Sequence, residues 1–505
     1  MRPVRAFTCA SPTGMKSQVT SIQMRATKIV CTIGPASREP EVLVRMVEAG
    51  MDVARLNFSH GSLEEHAENI ERIREASKRA GRWVAVLQDL PGPKLRIGPL
   101  TDQRVELTSG ETLEIVCGEE FEGNARRMSM SWPGLADALA VGEDVYLADG
   151  LVRLEVTGLP GGGVIQARVE AGGPVGARGG LNVPGEAAAL PAASDEDLEL
   201  LKFGEKQGVD LVALSFVRSA DDIAKVRERS RIPIIAKIEK PQAVDRAEEI
   251  VKAADAVMIA RGDLGIELPL PEVPIVQKRM IALAGRFARP AITATQMLDS
   301  MTQSARPTRA EVTDVANAIL DGTDAVMLSQ ETAIGKYPVE VVQMMDSIAR
   351  ATEPSLPLKE WNESRVERDE RDPAYSIAHT AAESARDLNM AALVIPTLSG
   401  RSVRLVSAHR PSVPIYALSP GRETVRRCNL IWGVTAAEMR RHEVTEELIA
   451  DAAARAVEEG WVKPGDRIGI TAGLPSGMPG TTSLFQVQTV RAVGDVSHGQ
   501  WERDR

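Results

Sequence analysis

The chain has 505 residues, 26% of them charged and 3% aromatic, and a formal net charge of -10, a globular composition long enough for more than one domain. The acidic balance excludes a nucleic-acid-binding surface, which needs basic charge, and no apolar run approaches the ~20 residues that cross a bilayer. Cys9, Cys31, Cys117 and Cys428 lie far apart with no C-x-x-C pair, so zinc is not indicated and a reducing, cytoplasmic setting is expected.

Residues 1–23 hold Arg2, Arg5 and Lys16 but no acid, a faint transit-peptide composition. Without the apolar core of a secretory signal, a disordered extension or an early start codon is the better reading, since Met15 and Met24 also occur. From Ala26, short apolar, often β-branched runs alternate with helix-period stretches such as Pro40 to Gly50 and Ser62 to Ala80. The runs are TKIVCTIG, MDVARLNFS, WVAVLQDL, VDLVALSF, IPIIAKIE, ADAVMIARGD, PAITATQM and TDAVMLSQE, each suited to a strand buried on both faces. Eight strands alternating with helices imply an α/β fold, a (β/α)8 TIM barrel.

One gap interrupts the rhythm. Between the third and fourth strands lie RVELTSG, ETLEIVCG, EDVYLADGLVRLEV and GLPGGGVIQARV, short strands with Gly and Pro turns. They predict an inserted all-β lid over residues 91–189, splitting the barrel into 24–90 and 190–355. A densely charged stretch, 356–372, reads as an exposed helix or linker. A C-terminal αβ domain with a mixed sheet is expected over 373–491, followed by a tail, 492–505.

Barrel enzymes place their chemistry at the C-terminal ends of the strands. Those ends carry Arg55, Asn57, Ser59, Gln88, Asp89, Ser215, Lys237, Glu239, Arg261, Asp263, Thr295, Gln296, Ser329 and Glu331. Singly, each is more often a solvated side chain or a helix cap; a ring of them gathers cations and carboxylates over one cavity. Glu239 and Asp263, on adjacent strands, suit the oxygen ligation of Mg2+. Lys237 and Glu239 are spaced i, i+2 and so share a face. In ARGDLGIEL, a strand, a tight Gly turn and a helix start are expected, with the N–H groups of Gly262 and Asp263 available to a carboxylate. No Walker-type G-x-x-x-x-G-K-[ST] occurs, so a nucleotide is bound without one.

The blocks TKIVCTIGPAS, VARLNFSHG, AKIEKPQAV, ARGDLGIELP, ATQMLDSM and RPTRAEVTDVANAILDGTDAVMLS resemble, in order and spacing, the pyruvate kinase family, over about Ala26 to Val490. The resemblance implies phosphoryl transfer from phosphoenolpyruvate to ADP, giving pyruvate and ATP. It implies Lys237, Arg55, Thr295, Ser329 and Glu331 as catalytic residues, with Arg55, Gly262, Asp263 and Thr295 on the substrate. Glu239 and Asp263 would hold Mg2+, for which Mn2+ can substitute; Asn57, His60 and Arg96 would meet the nucleotide. A homotetramer is the family's habit.

Departures are specific. The family's K+ site corresponds to Asn57, Ser59, Asp89 and Leu90, where Leu90 replaces a Thr, and Lys94 stands for a Glu. An ammonium there supplies charge that K+ otherwise brings and repels a bound cation, so K+ is not expected to be required. Glu196 replaces a usual Lys, and Gln330 a usual Gly beside Ser329 and Glu331. Thr397, Ser399, Gly400, Arg401 and Ser402, before a helix, suit the phosphate of an effector, with residues 473–483 facing them. Two rivals share these residues: a Mg2+-dependent lyase acting at pyruvate or phosphoenolpyruvate, and a binding module without activity.

Overall fold

The computed structural model describes residues 25–92, 95–183, 193–367, 372–473 and 482–491. Eight parallel strands form a closed barrel: β1 (Lys28–Thr32), β2 (Val53–Asn57), β3 (Ala85–Asp89), β4 (Leu211–Leu214), β5 (Ile234–Ile238), β6 (Ala256–Ala260), β7 (Ala291–Ala294) and β8 (Ala325–Leu328). Neighbours pair in chain order, and β1 closes on β8. Alternation along a strand sorts the side chains. In β1, Ile29 and Cys31 face the surrounding helices, while Val30 faces the barrel interior with Val53, Leu87, Ile235, Met258 and Met327.

The helices begin where the sequence provides caps. Pro40–Ala49 has proline at its start, and Leu63–Arg79 has a Ser62/Glu65 capping box. Among the described residues no helix is long and apolar enough to cross a membrane.

Between β3 and β4 the chain forms a β domain with its own core around Leu113, Ile115, Val145, Leu154 and Ile165. It holds a six-stranded sheet and a two-stranded one. The run EDVYLADGLVRLEV splits into Asp144–Leu147 and Val152–Gly161, because Ala148 at φ 51° and Gly150 at φ 90° turn the chain. Arg127–Met130, not foreseen as a strand, pairs parallel to Thr112–Cys117.

The C-terminal sheet runs β9 (Ala392–Pro396), β10 (Ile415–Ser419), β11 (Val434–Glu438), β12 (Arg467–Gly473) and β13 (Thr482–Thr489). Its spatial order is β11-β10-β9-β12-β13, mixed because β12 and β13 are antiparallel. Leu430 of this domain joins the barrel's interior cluster. Arg410, wholly buried, donates to Asp324 at 2.9 Å and to the Gly322 carbonyl at 2.8 Å, and its guanidinium lies 4.5 Å from the centre of the Trp432 ring.

The charged stretch, expected to be an exposed helix or linker, is over its first part a helix that serves as a clasp. The helix Leu358–Ser364 buries Asn362, which donates to the His409 carbonyl at 3.2 Å. Arg365 stacks on Trp361 and donates to the Gly322 carbonyl at 2.9 Å, and Val366 enters the C-terminal core. One face of the helix makes these contacts while its Lys and Glu face water. The expected extension 1–23 and the tail 492–505 lie outside the described residues, as do 368–371 of the linker.

Candidate active site

β4 and β6 are apolar throughout and β5 is apolar up to Lys237, so the polar groups at and beyond their ends gather at one end of the barrel. There a cleft of about 1240 Å3 opens, lined from the barrel by Arg55, Lys237, Asp263, Thr295 and Ser329, and from the β domain by Asp144 and Tyr146. The shared inward parity of Lys237 and Glu239 is realised: Lys237 Nζ lies 2.7 Å from Glu239 Oε1 and donates to Ser215 Oγ at 2.7 Å. Glu239 lies beneath the cleft floor, 1% exposed, and its Oε2 accepts the Phe216 N–H at 2.7 Å.

Asp89, 1% exposed, is shared by two cations, accepting from Arg55 Nε at 2.7 Å with its Oδ1 3.4 Å from Lys237 Nζ. Arg55 also donates to Thr32 Oγ1 at 2.9 Å. Burial works against the Lys237 ammonium, but Asp89, Glu239 and Asp263 outweigh it and hold its pKa above the ordinary lysine value. Burial would raise Asp89, yet Lys237 and Arg55 hold it below the usual carboxylate range. Burial, with the Asp263 charge adding to it, pushes Glu239 upward against the pull of Lys237. A buried carboxylate in that position gains from a cation close by.

After β6 there is no tight glycine turn. The helix Arg261–Glu267 starts at once, with Gly262 and Asp263 in its first turn. The Gly262 N–H, expected to be open to a substrate carboxylate, donates to Thr295 Oγ1 at 2.7 Å. A Cβ on Gly262 would make ordinary contact with Thr295 at 3.5 Å, so packing alone does not demand glycine there. Thr295 and Gln296 both have left-handed backbone, at φ 69° and 53°. Arg261 braces this bend, donating to the Thr295 carbonyl at 2.8 Å and to Asp314 at 2.7 Å.

Glu331 is buried, its carboxylate accepting the N–H groups of Ser329 at 2.7 Å and Leu298 at 3.1 Å; burial raises its pKa. Gln330 is exposed at the cleft. Asn57 and His60 line the cleft, and Asn57 Oδ1 accepts the Ser59 N–H at 3.1 Å. Leu90, expected at a cation-site position, buries its side chain in the barrel's outer core, and its carbonyl accepts the Ser215 hydroxyl at 2.8 Å. Lys94 lies outside the described residues. Arg96 sits in the β domain, donating to the Arg178 carbonyl at 3.2 Å, and is not among the residues lining the cleft.

In the C-terminal domain, Gly400, at φ 81°, donates to Thr397 Oγ1 at 2.9 Å and precedes the helix Arg401–Ala408. Arg401 pairs with Asp372, Ser402 bonds Thr482, and Ser399 is exposed. Residues 474–481 of the facing segment lie outside the described residues. Sequence reasoning passed over Thr32, which props Arg55, and Asp144 and Tyr146, which reach the cleft from the insertion. Thr32 ends a strand run and was open to the same reasoning as its neighbours; Asp144 and Tyr146 carry no such signal.

Family models match the chain twice: pyruvate kinase, barrel domain, over residues 24–342, and pyruvate kinase, alpha/beta domain, over 375–488. A pyruvate kinase of Geobacillus stearothermophilus is 45% identical over 473 residues, 92% of this chain and 80% of that one. One from Bacillus licheniformis is 43% identical over 480 residues, 94% of this chain and 81% of that one. The crystal structure of a pyruvate kinase from Cryptosporidium parvum superposes with a TM-score of 0.85 at 35% identity, covering 92% of this chain and 96% of that one. The chain belongs to the pyruvate kinase family.

Proposed function

We propose that this chain transfers the phosphoryl group of phosphoenolpyruvate to ADP, yielding pyruvate and ATP. The observation that carries the site assignment is Lys237, held as an ammonium among Asp89, Glu239 and Asp263 on the floor of one cleft. Phosphoryl transfer asks for positioned charge rather than covalent help. Lys237 neutralises charge on the migrating phosphoryl group and on the enolate oxygen left behind. Arg55, fixed by Asp89 and Thr32, grips the phosphate. Thr295 and Gly262 with Asp263 orient the carboxylate end. Thr295, Ser329 and Glu331 border the route by which a proton reaches the enolate carbon, and the two hydrogen bonds that the Glu331 carboxylate accepts from backbone N–H groups keep it in place. Asn57 and His60 meet the nucleotide from the barrel side, with Arg96 approaching when the β domain closes and excludes water.

Glu239 and Asp263 fit a Mg2+ ion. Both supply oxygen, and each Glu239 oxygen keeps a second acceptor site beyond the bond it makes here. Held there, Mg2+ would supply Lewis-acid stabilisation of developing negative charge. K+ is not required in this reading, because Lys94 brings a fixed charge. Turnover in KCl against tetramethylammonium chloride at equal ionic strength tests this; a many-fold K+ activation removes it.

Thr397, Ser399, Gly400, Arg401 and Ser402 form the proposed phosphate cradle of an effector, and the working assembly is a cytoplasmic homotetramer. Calorimetric titration with fructose 1,6-bisphosphate, AMP and glucose 6-phosphate tests the cradle, and silence from all three points to an unregulated enzyme. The primary test is a lactate-dehydrogenase-coupled assay with phosphoenolpyruvate, ADP and Mg2+. Pyruvate released only with ADP present supports the assignment; pyruvate without ADP, or none at all, overturns it.

A further inference from the structure

Phe216 follows β4 with φ 54°, the left-handed region that a bulky residue enters only under constraint. That conformation delivers its N–H to Glu239 Oε2 at 2.7 Å. The ring is walled in. A Cβ built on Gly92, which itself sits at φ 68°, would come within 2.8 Å of ring atom Cδ2. On another side the Lys240 ammonium lies 5.7 Å from the ring centre. Lys240 in turn pairs with Glu267, the last residue of the helix that carries Asp263.

We propose that Phe216 is a positioning residue for the metal-binding carboxylate. The ring, clamped between Gly92 and Lys240, holds the peptide in its left-handed state, and the peptide N–H fixes the rotamer of Glu239. The inference rests on the reading that Glu239 and Asp263 hold the divalent ion. A partner that orients a ligand in this way governs affinity, and its loss typically weakens binding about 10–100-fold.

The test uses the full chain and Mn2+, with free ion followed by electron paramagnetic resonance in the absence of substrates. Phe216→Gly keeps access to the left-handed region but loses the clamp, so Mn2+ affinity is expected to fall about tenfold or more. Phe216→Tyr, which retains the ring, is expected to bind like the parent chain. In turnover, the Mg2+ activation constant rises for Phe216→Gly while kcat at saturating Mg2+ changes far less. A folded Phe216→Gly with parental Mn2+ affinity overturns the inference. If that variant does not fold, Phe216→Leu serves, with weakened affinity in support and parental affinity against. Glu239→Gln separates the two levels. If it binds Mn2+ as the parent does, the metal reading has failed and this inference with it. If it loses Mn2+ while Phe216→Gly keeps it, only the inference fails.

Discussion

Asp89 divides its carboxylate between two cations, with one oxygen 2.7 Å from Arg55 Nε and the other 3.4 Å from Lys237 Nζ. It thereby spaces the two positive groups that face an anionic substrate. In Asp89→Asn the two cations lose their common counter-charge, and kcat/KM is expected to fall about 10²-fold. The folded-state pKa of Asp89 is depressed, so the stability it contributes is present above the unfolded value near ~3.9 and lost as pH falls through the folded value. Urea melts of both proteins between neutral and acid pH should converge only at the acid end. Parallel curves throughout would contradict the coupling.

Lys237→Met removes the ammonium and leaves Glu239 and Asp89 buried beside an apolar stem. Loss of about 10²–10³-fold in kcat is expected from the missing charge, with a lower melting temperature as well. Steady-state kinetics and calorimetric melting read the two effects separately.

Thr295→Ser keeps the hydroxyl that accepts the Gly262 N–H, whereas Thr295→Val, β-branched like the native threonine at φ 69°, leaves that donor unpaired. Serine should retain activity within about fivefold and valine should lose about 10²-fold, mostly in kcat. Equal activity in the two variants would show that the hydroxyl is dispensable.

Lys28 donates to the Val434 carbonyl at 2.6 Å at the seam between the barrel and the C-terminal domain. Burial pulls its pKa down to about 8, against 10.5 ordinarily. Between those values the unfolded chain holds more protons than the folded one, so stability attributable to this group rises with pH from about 8 to about 10.5. Urea denaturation across that window should show the parent chain gaining about 2–4 kcal/mol relative to Lys28→Met. A constant difference across the window would contradict the burial of a charged lysine.

Arg410→Met leaves Asp324 buried with its arginine partner gone, an arrangement that costs about 3–5 kcal/mol. Because the arginine joins two domains, guanidinium unfolding followed by tryptophan fluorescence should broaden or split, with the C-terminal domain released first. A single transition at the parental midpoint would count against this role.

The lysine of β5 and the glutamate that follows the strand were legible because a strand repeats every two residues, so an apolar run ending K-I-E places both acid and base on the interior face. Arg55, Asp89 and Thr295 were legible through barrel closure, which brings the ends of distant strands together. The Gly262 conformation was not, since a Gly-Asp pair begins helices as readily as it makes turns. Leu90 was read by its place in a motif, and its side chain instead fills the barrel's outer core. The clasp at Trp361, Asn362 and Arg365 hid inside a charged stretch, because which face of a short helix meets a neighbouring domain is decided by that domain. Phe216 was illegible for a similar reason. Its ring packs against Gly92, more than a hundred residues away in the chain.

The ring of eight strands joins Lys28 to Ala325 and, across the inserted domain, Leu87 to Leu211. A chain emerging from the ribosome therefore completes the insertion, which has its own core, long before its first strand can meet its last. Until then the nascent sheet carries two open edges, the surfaces most prone to pairing with other chains. Chains halted just short of residue 325 are expected to be insoluble, while the isolated insertion withstands release.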